Sequence, residues 1–250
     1  MVSESGSITW RSQRVAYRET CRMNFKPARA VIKCPSCNKK NRIAEPSIEG
    51  FSKCASCKQP LSSPFRYLVF DCETTGLPSS KSPPRLVQLA WSLYDATGHA
   101  LSVNDFIVRP TEFVIPKAAT SVHGISQEQA EITGVPLGEV LHKFLRDADN
   151  AGTRLIAHNI SFDDRVITSE LDGLKINSTF GERMRFCTMK NTVDICKLPT
   201  RGHGYKWPKL QELHMHLFGR GFSGGHNAKA DVEATARCFF ELRKQGLLQQ

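Results

Sequence analysis

The chain has 250 residues and a formal net charge of +10, enough for one substantial core and a small appendage but not for two large domains. Hydrophobic residues make up 40% and charged residues 23%, a globular profile without the run of roughly 18 apolar residues that crosses a bilayer, so the expectation is a soluble protein with no membrane partner. The charge is lopsided: residues 1–64 hold 12 Lys and Arg against 4 Asp and Glu, and residues 65–250 hold 22 against 20, which puts the attraction for a polyanion at the front of the chain.

Residues 1–30 show no periodicity and are expected to form a basic, poorly ordered arm, either a solvated tail or a phosphate-attracting one. Arg11, Arg14, Arg18 and Arg22 interrupt any apolar core of secretory type, and the Arg and Ser content permits an organelle-transit reading that Glu4 and Glu19 count against. Of the nine cysteines, four lie in two CxxC pairs, and Cys21, Cys72, Cys187, Cys196 and Cys238 are single. That is not a disulfide framework, and it points to reduced thiols and a cytoplasmic location.

Residues 31–61 form a cysteine module. Cys34-Pro-Ser-Cys37 and Cys54-Ala-Ser-Cys57 are separated by sixteen residues, a spacing that closes one tetrahedral four-cysteine site around a single structural Zn2+. A redox CxxC is the competing reading. So short a segment buries too little apolar surface to fold unaided, so the ion would supply much of its folding free energy. Lys33, Lys39, Lys40, Arg42, Lys53 and Lys58 would offset the thiolate charge and leave a basic surface that fits docking to nucleic acid or to a protein partner, or a passive appendage. The segment also resembles the zinc ribbon that precedes some bacterial thioredoxins, although no thioredoxin domain follows here.

A Ser/Pro hinge from Leu61 to Pro64 precedes the main domain, expected over residues 65–247. Tyr67–Phe70 reads as a buried strand, and the apolar stretches Arg85–Tyr94 and Leu101–Arg109 flank the turn Asp95-Ala96-Thr97-Gly98 as a hairpin does. Helices are expected over Ser126–Ile132, with Ser126 as N-cap, and over Leu137–Ala148. A strand follows at Arg154–Ala157 and a helix at Phe162–Leu171. Leu210, Leu213, Leu217 and Phe218 recur at helical spacing, and a long amphipathic helix runs from Ala228 to Leu242. Strands first, then alternation, predict an α/β domain with a mixed sheet.

Three acidic segments punctuate this pattern. Asp71 and Glu73 leave the first strand on one face, where two carboxylates repel unless a cation or proton neutralises them. From these two alone, a solvated strand end fits as well. His158-Asn159-Ile160-Ser161-Phe162-Asp163 puts Asp163 in the first turn of a helix. His226-Asn227-Ala228-Lys229-Ala230-Asp231 opens the last one, and a helical segment between His226 and Asp231 would let both face one pocket. Phe162 and Trp91 read as core, whereas Trp207, between Lys206 and Pro208, fits either a loop anchor or a base-stacking aromatic.

In order and spacing, these segments resemble the signature of the DEDDh exonucleases over roughly Arg66–Gly246, and Ser121-Val122-His123-Gly124-Ile125 is similar to that family's His-Gly-Ile element. The resemblance implies an RNase H-like fold with a five-stranded mixed sheet flanked by helices. It implies that Asp71, Glu73, Asp163 and Asp231 hold two Mg2+ or Mn2+ ions and that His226 is the general base, with 3′→5′ removal of nucleoside 5′-monophosphates. Thr74, Thr75, Gly76, His123 and Ile125 would meet the terminal nucleotide, or serve only turn and loop packing. Single-stranded DNA is expected, as in repair or proofreading in trans. An exoribonuclease of the ribonuclease T or oligoribonuclease kind is the alternative, and a scaffold that only grips 3′ ends is a third reading.

Overall fold

The computed structural model describes residues 29–44, 52–61, 63–77, 83–150 and 152–248. The arm expected over residues 1–30 lies outside them except for Arg29 and Ala30, as does Cys21. Strands β1 (Arg29–Lys33) and β2 (Lys40–Ala44) pair antiparallel in a small sheet of their own. Cys34, Ile43, Cys54, Leu61 and Phe65 form a separate core beside it. Leu61 and Phe65 flank the hinge and both tuck into that core, so the connection is held at each end.

The main sheet comprises β3 (Arg66–Thr74), β4 (Leu86–Tyr94), β5 (Ala100–Ile107), β6 (Thr153–Ala157) and β7 (Met184–Cys187), in the order β5-β4-β3-β6-β7. The first three are consecutive and antiparallel, whereas β6 and β7 run parallel to β3. The mixed five-stranded sheet is thus present. Its hairpin turn is closed by the Asp95 carboxylate, which accepts the Thr97 and His99 N–H groups at 2.8 and 3.0 Å.

Eight helices follow among the described residues: α1 (Lys117–His123), α2 (Gln127–Thr133), α3 (Leu137–Ala148), α4 (Ile160–Gly173), α5 (Thr188–Asn191), α6 (Val193–Cys196), α7 (Leu210–Phe218) and α8 (Ala228–Lys244). Ser126 caps α2 as expected, its hydroxyl accepting the Gln129 N–H at 3.0 Å. Strand β7 and helices α1, α5 and α6 arise where the sequence has no clear period. No helix among the described residues is long and apolar enough to cross a membrane.

Alternation along β3 decides which residues meet which helix. Leu68, Phe70 and Cys72 face the larger core with Val140, Leu141 and Phe144 of α3 and Val166 and Ile167 of α4. Tyr67 and Val69 face the other way, onto Val232, Ala236 and Phe239 of α8. Phe144 is central to the first face, with ring centroids 5.5 Å from Phe70 and Trp91 and 5.7 Å from Phe180. Trp91 is core, as read from the sequence, and its indole N–H donates to Asp147 at 2.9 Å.

A buried carboxylate ties α4 to the start of β4. Glu170 is 5% exposed and accepts the Leu86 N–H at 2.9 Å and the Arg85 Nε–H at 3.0 Å. Truncating it leaves a buried N–H and a partly buried guanidinium without their acceptor. Glu170→Ala is therefore expected to cost about 2–3 kcal/mol, read as a lower urea midpoint; an unchanged midpoint would show that the clamp contributes nothing.

Candidate active site

The same alternation builds the acidic site. Asp71 and Glu73 continue the face of Tyr67 and Val69, the face that α8 covers, so Asp231 in the first turn of α8 arrives from above them. Carboxylate oxygens of Asp71, Glu73 and Asp231 all lie within 4.8 Å of one another. Asp163, in the first turn of α4, belongs to the opposite face. It reaches the same strand end from behind, and its Oδ1 accepts the N–H of Cys72, the residue between Asp71 and Glu73, at 3.1 Å.

The charges on this cluster are not balanced from within. Among the described residues no Lys or Arg ion pair reaches Asp71, Glu73, Asp163 or Asp231. The neighbouring Asp164 is different: it turns to Arg185, which leaves Asp163 as the inward-facing member of the pair. Burial, then repulsion from Asp163, Asp231 and Glu73, pushes Asp71 well above the usual carboxylate range. Burial and Asp231 push Glu73 up to about 7, and burial with Asp164 pushes Asp163 up to about 8. Burial also raises Asp231, opposed by the N–H of His226. A divalent cation in the midst of these groups would relieve both effects, and an all-oxygen donor set suits a hard ion such as Mg2+ or Mn2+.

His226 reaches this site by a different route from the expected one. No helix spans His226 to Asp231: α8 starts at Ala228, Asn227 is its N-cap, and His226 precedes both with a left-handed φ of 67°. The Gly224-Gly225 pair and the cap end the helix before it can reach the histidine. What joins the two residues is a hydrogen bond from the His226 backbone N–H to Asp231 Oδ2 at 3.0 Å. The imidazole is exposed, and its positive form would steady the Asp231 carboxylate.

The residues read as meeting the terminal nucleotide fall into two groups. Thr74 and Gly76 close a turn at the end of β3, the Thr74 hydroxyl donating to the Gly76 carbonyl at 2.7 Å, and Thr75 Oγ1 accepts the Arg85 N–H at 3.0 Å. His123 and Ile125 line a cleft of about 500 Å3 with Gln88, Asp105, Gly124 and Asn227. Gln88 stands opposite Glu73 in the β3–β4 register, so the cleft opens beside the acids. Gly124 ends α1 at φ 79°, a left-handed turn that brings Ile125 back over His123. The Ile125 N–H donates to His123 Nδ1 at 3.1 Å, which leaves Nε2 buried without a hydrogen-bond partner.

Several contributors were not singled out from the sequence. Gln88, a polar residue within the apolar run of β4, donates to Asp105 at 2.7 Å and accepts the Ala228 N–H at 3.3 Å, seating the start of α8. His158, at the end of β6, donates from Nε2 to the Pro208 carbonyl at 3.0 Å, and its Nδ1 meets the Thr188 hydroxyl at 2.9 Å. Burial lowers its pKa to about 4 and keeps the ring neutral. A polar residue inside an apolar strand, and a histidine directly after one, were the available signals.

The four cysteines also converge. Cys34 and Cys57 sulfurs are 3.5 Å apart, as are those of Cys37 and Cys54, near the roughly 3.8 Å that Zn–S bonds of about 2.3 Å give in a tetrahedron. Both CxxC turns have the same shape: Asn38 and Lys58, each following the second cysteine, adopt φ 61° and 63°. Backbone N–H groups of Cys57 and Ser56 hold the Cys54 thiol down to about 6 against burial. Cys57 is pushed up to about 12: the Gln59 N–H lowers it, but burial and hydrogen bonds to the other three cysteines prevail. Four thiols in one volume cannot all ionise without a cation. Asn41 braces the pair of turns, accepting the Ala55 N–H at 2.9 Å and donating to Cys54 Sγ at 3.5 Å.

A mixed sheet with carboxylates gathered at the end of its central strand fits a nuclease that hydrolyses phosphodiester bonds with bound metal. The exonuclease family model, that of RNase T, matches residues 68–239, and the chain belongs to this exonuclease family. It is 28% identical over 190 residues to the uncharacterized exonuclease CP81 of Escherichia phage 186, covering 72% of this chain and 89% of that protein. E. coli Exonuclease I in complex with a dA16 oligonucleotide superposes with a TM-score of 0.62 at 20% identity, covering 74% of this chain and 42% of that one. Its complex with a dT13 oligonucleotide gives 0.61 at 20% identity, covering 73% and 42%. The chain thus spans less than half the length of those structures. The likeness establishes the RNase H-like fold.

The raised pKa of Glu73 sets a sign for stability. With its folded value near 7 and an unfolded value near 4.5, the folded, metal-free protein holds a proton that the unfolded chain has released, so it loses stability as pH rises across that window. Without divalent cation, Glu73→Gln is expected to be more stable than wild type by up to about 3 kcal/mol above pH 7, with no difference near pH 4. Thermal unfolding of both proteins across this range checks it, and Mg2+ should stabilise wild type more than the variant.

Proposed function

We propose that the chain is a metal-dependent 3′→5′ exonuclease that releases nucleoside 5′-monophosphates from the 3′ ends of single-stranded DNA. The observation that carries this reading is the convergence of Asp71, Glu73 and Asp231 within 4.8 Å with no Lys or Arg side chain ion-paired to them among the described residues. With Asp163 as a fourth carboxylate, these residues would hold two Mg2+ or Mn2+ ions. Bound there, the ions supply a water of lowered pKa and neutralise charge on the departing 3′ oxygen.

The remaining chemistry belongs to the chain. The exposed His226 imidazole takes the proton of the attacking water as its oxygen bonds to phosphorus and the phosphorus–O3′ bond breaks. The strand is shortened to a new 3′ hydroxyl, and the terminal nucleotide departs with the 5′ phosphate. Thr74, Thr75 and Gly76 on one side, and His123 and Ile125 in the cleft beside Glu73, hold that nucleotide. The likeness to Exonuclease I, solved with dA16 and dT13 oligonucleotides, supports a single-stranded polymer. Cys34, Cys37, Cys54 and Cys57 hold one structural Zn2+, and the basic module around them docks nucleic acid or a protein partner. Buried, unpaired thiols at Cys72, Cys187, Cys196 and Cys238 suit the reducing cytoplasm.

Digestion of 3′- and 5′-labelled single-stranded DNA and RNA with Mg2+, Mn2+ or chelator tests the reaction. Metal-dependent mononucleotide release from the 3′ end is expected, with DNA preferred to RNA. His226→Ala should slow it about a hundred- to ten-thousandfold, and Asp71→Ala should abolish it; wild-type rates in Asp71→Ala would refute the mechanism. A faster reaction on RNA would make the protein an exoribonuclease.

Metal analysis of the purified chain tests the module separately. One Zn2+ per chain is expected, lost in Cys54→Ser, with the exonuclease domain still folded by near-UV circular dichroism. Zinc retained at full stoichiometry in that variant would place the ion elsewhere.

A further inference from the structure

Trp207 is 59% exposed and Tyr205 46% exposed, two large aromatics left outward on a segment that is otherwise well tied down. The Lys206 N–H donates to the Leu198 carbonyl at 2.9 Å, and Pro199 bridges Tyr205, so the segment closes on itself. Its far end is fixed at Pro208 by His158. An aromatic that anchors a loop buries its ring, and Trp207 does not. Residues 197–209 contain Lys197, Arg201, Lys206 and Lys209, of which Lys206 is ion-paired to Glu212, and the ammonium of Lys190 on α5 lies 5.9 Å from the Trp207 ring centroid.

The position matters as much as the composition. His158 follows β6 and Lys190 follows β7, both strands parallel to β3, so the segment is fastened to the carboxyl edge of the sheet, the edge that carries Asp71 and Glu73. Two strand spacings, about 10 Å, separate the ends of β3 and β7. In open α/β sheets this edge is where ligands lie. Ordered aromatics among basic side chains are the ingredients of a single-strand track, in which rings stack on bases and cations follow phosphates.

We propose that Trp207, with Lys190 and Tyr205 beside it, is a stacking platform for bases of the single strand upstream of the terminal nucleotide. The proposal rests on the exonuclease reading and adds a second contact that sets affinity for the length of the strand. The platform does not touch the scissile bond. A substrate too short to reach it gains nothing from it, and one that reaches it is held between turnovers. Because the segment is braced before the strand arrives, little ordering is needed on binding.

Rates on a dinucleotide and on single-stranded oligonucleotides of about ten nucleotides, with wild type, Trp207→Ala and Trp207→Phe in the full chain, test it. Trp207→Ala should raise KM for the longer strand roughly five- to a hundredfold with kcat and the dinucleotide rate unchanged, and Trp207→Phe should recover most of the loss. In wild type the longer strand should also quench tryptophan emission more than it does in Trp207→Phe, which keeps Trp10 and the core residue Trp91; the difference between the two proteins reports Trp207. An unchanged KM overturns the platform, as does an equal loss on both substrates, which would make Trp207 structural. If wild type degrades nothing, the exonuclease reading fails by itself. The quench then still decides the platform: a quench larger in wild type than in Trp207→Phe supports stacking on Trp207, and an equal quench, or none, leaves the surface to a protein partner and overturns the proposal.

Discussion

Asp71, Glu73 and Asp231 repel one another inside a partly dry cleft, and most of the main domain is arranged around that repulsion. Two unit charges 4 Å apart oppose each other by about 4 kcal/mol at an effective dielectric constant near 20, a large fraction of the stability of an ordinary domain. The strand that bears two of these charges is the best-secured one. β3 pairs with β4 over most of its length and with β6 on its other side, and its alternate residues are buried on both faces. A slip of one residue would send Asp71 and Glu73 into the Phe70 face, so the packing of Tyr67, Leu68, Val69 and Phe70 also fixes where the acids point.

The helices that bring the other two acids reduce the cost further. Asp163 and Asp231 each lie in the first turn of a helix, α4 and α8, where the positive end of the helix dipole favours a carboxylate. They reach the same strand end from opposite faces of the sheet, so the cluster is assembled without any two acids sharing one helix. The parallel β3-β6-β7 half places further polar groups along the same edge: His158 after β6, and Thr188 and Lys190 after β7. The cysteine module has a core of its own, folded around its sulfurs and joined to the start of β3 through Phe65.

Much of this arrangement was legible in the sequence because its signals are local. Tyr67–Phe70 running into Asp71 and Glu73, the Asp95–Gly98 turn, the apolar stripe of α3 and the CxxC spacing each carry a period or a motif. What was not legible depends on distant partners. Strand β7 is a four-residue parallel strand whose pairing with β6 no local pattern announces. The choice of Asp163 over Asp164 came from the family resemblance, and its physical reason, the pairing of Asp164 with Arg185 twenty-one residues on, carries no local signal. Glu170 looks like a surface acid until Leu86 and Arg85 are seen to close over it. The helix expected to span His226 and Asp231 was an inference from spacing alone, and the glycines before it were the contrary local evidence.

The histidines show what a proposed base must avoid. His123 has its Nδ1 occupied by the Ile125 N–H. His158 is committed at both nitrogens, and His214 bonds the Arg220 carbonyl through Nδ1 and meets Arg237 at Nε2. A ring held in this way has its tautomer fixed by structure, and burial keeps His158 neutral at the expense of its basicity. His226 differs in each respect. Its backbone, not its ring, makes the bond to Asp231, the ring is exposed, and its left-handed position sets it beside the cluster without packing it there. An imidazole with no ring hydrogen bond among the described residues, on a backbone tethered to one of the acids, is sterically open to a water in that cleft, which supports the role proposed for it.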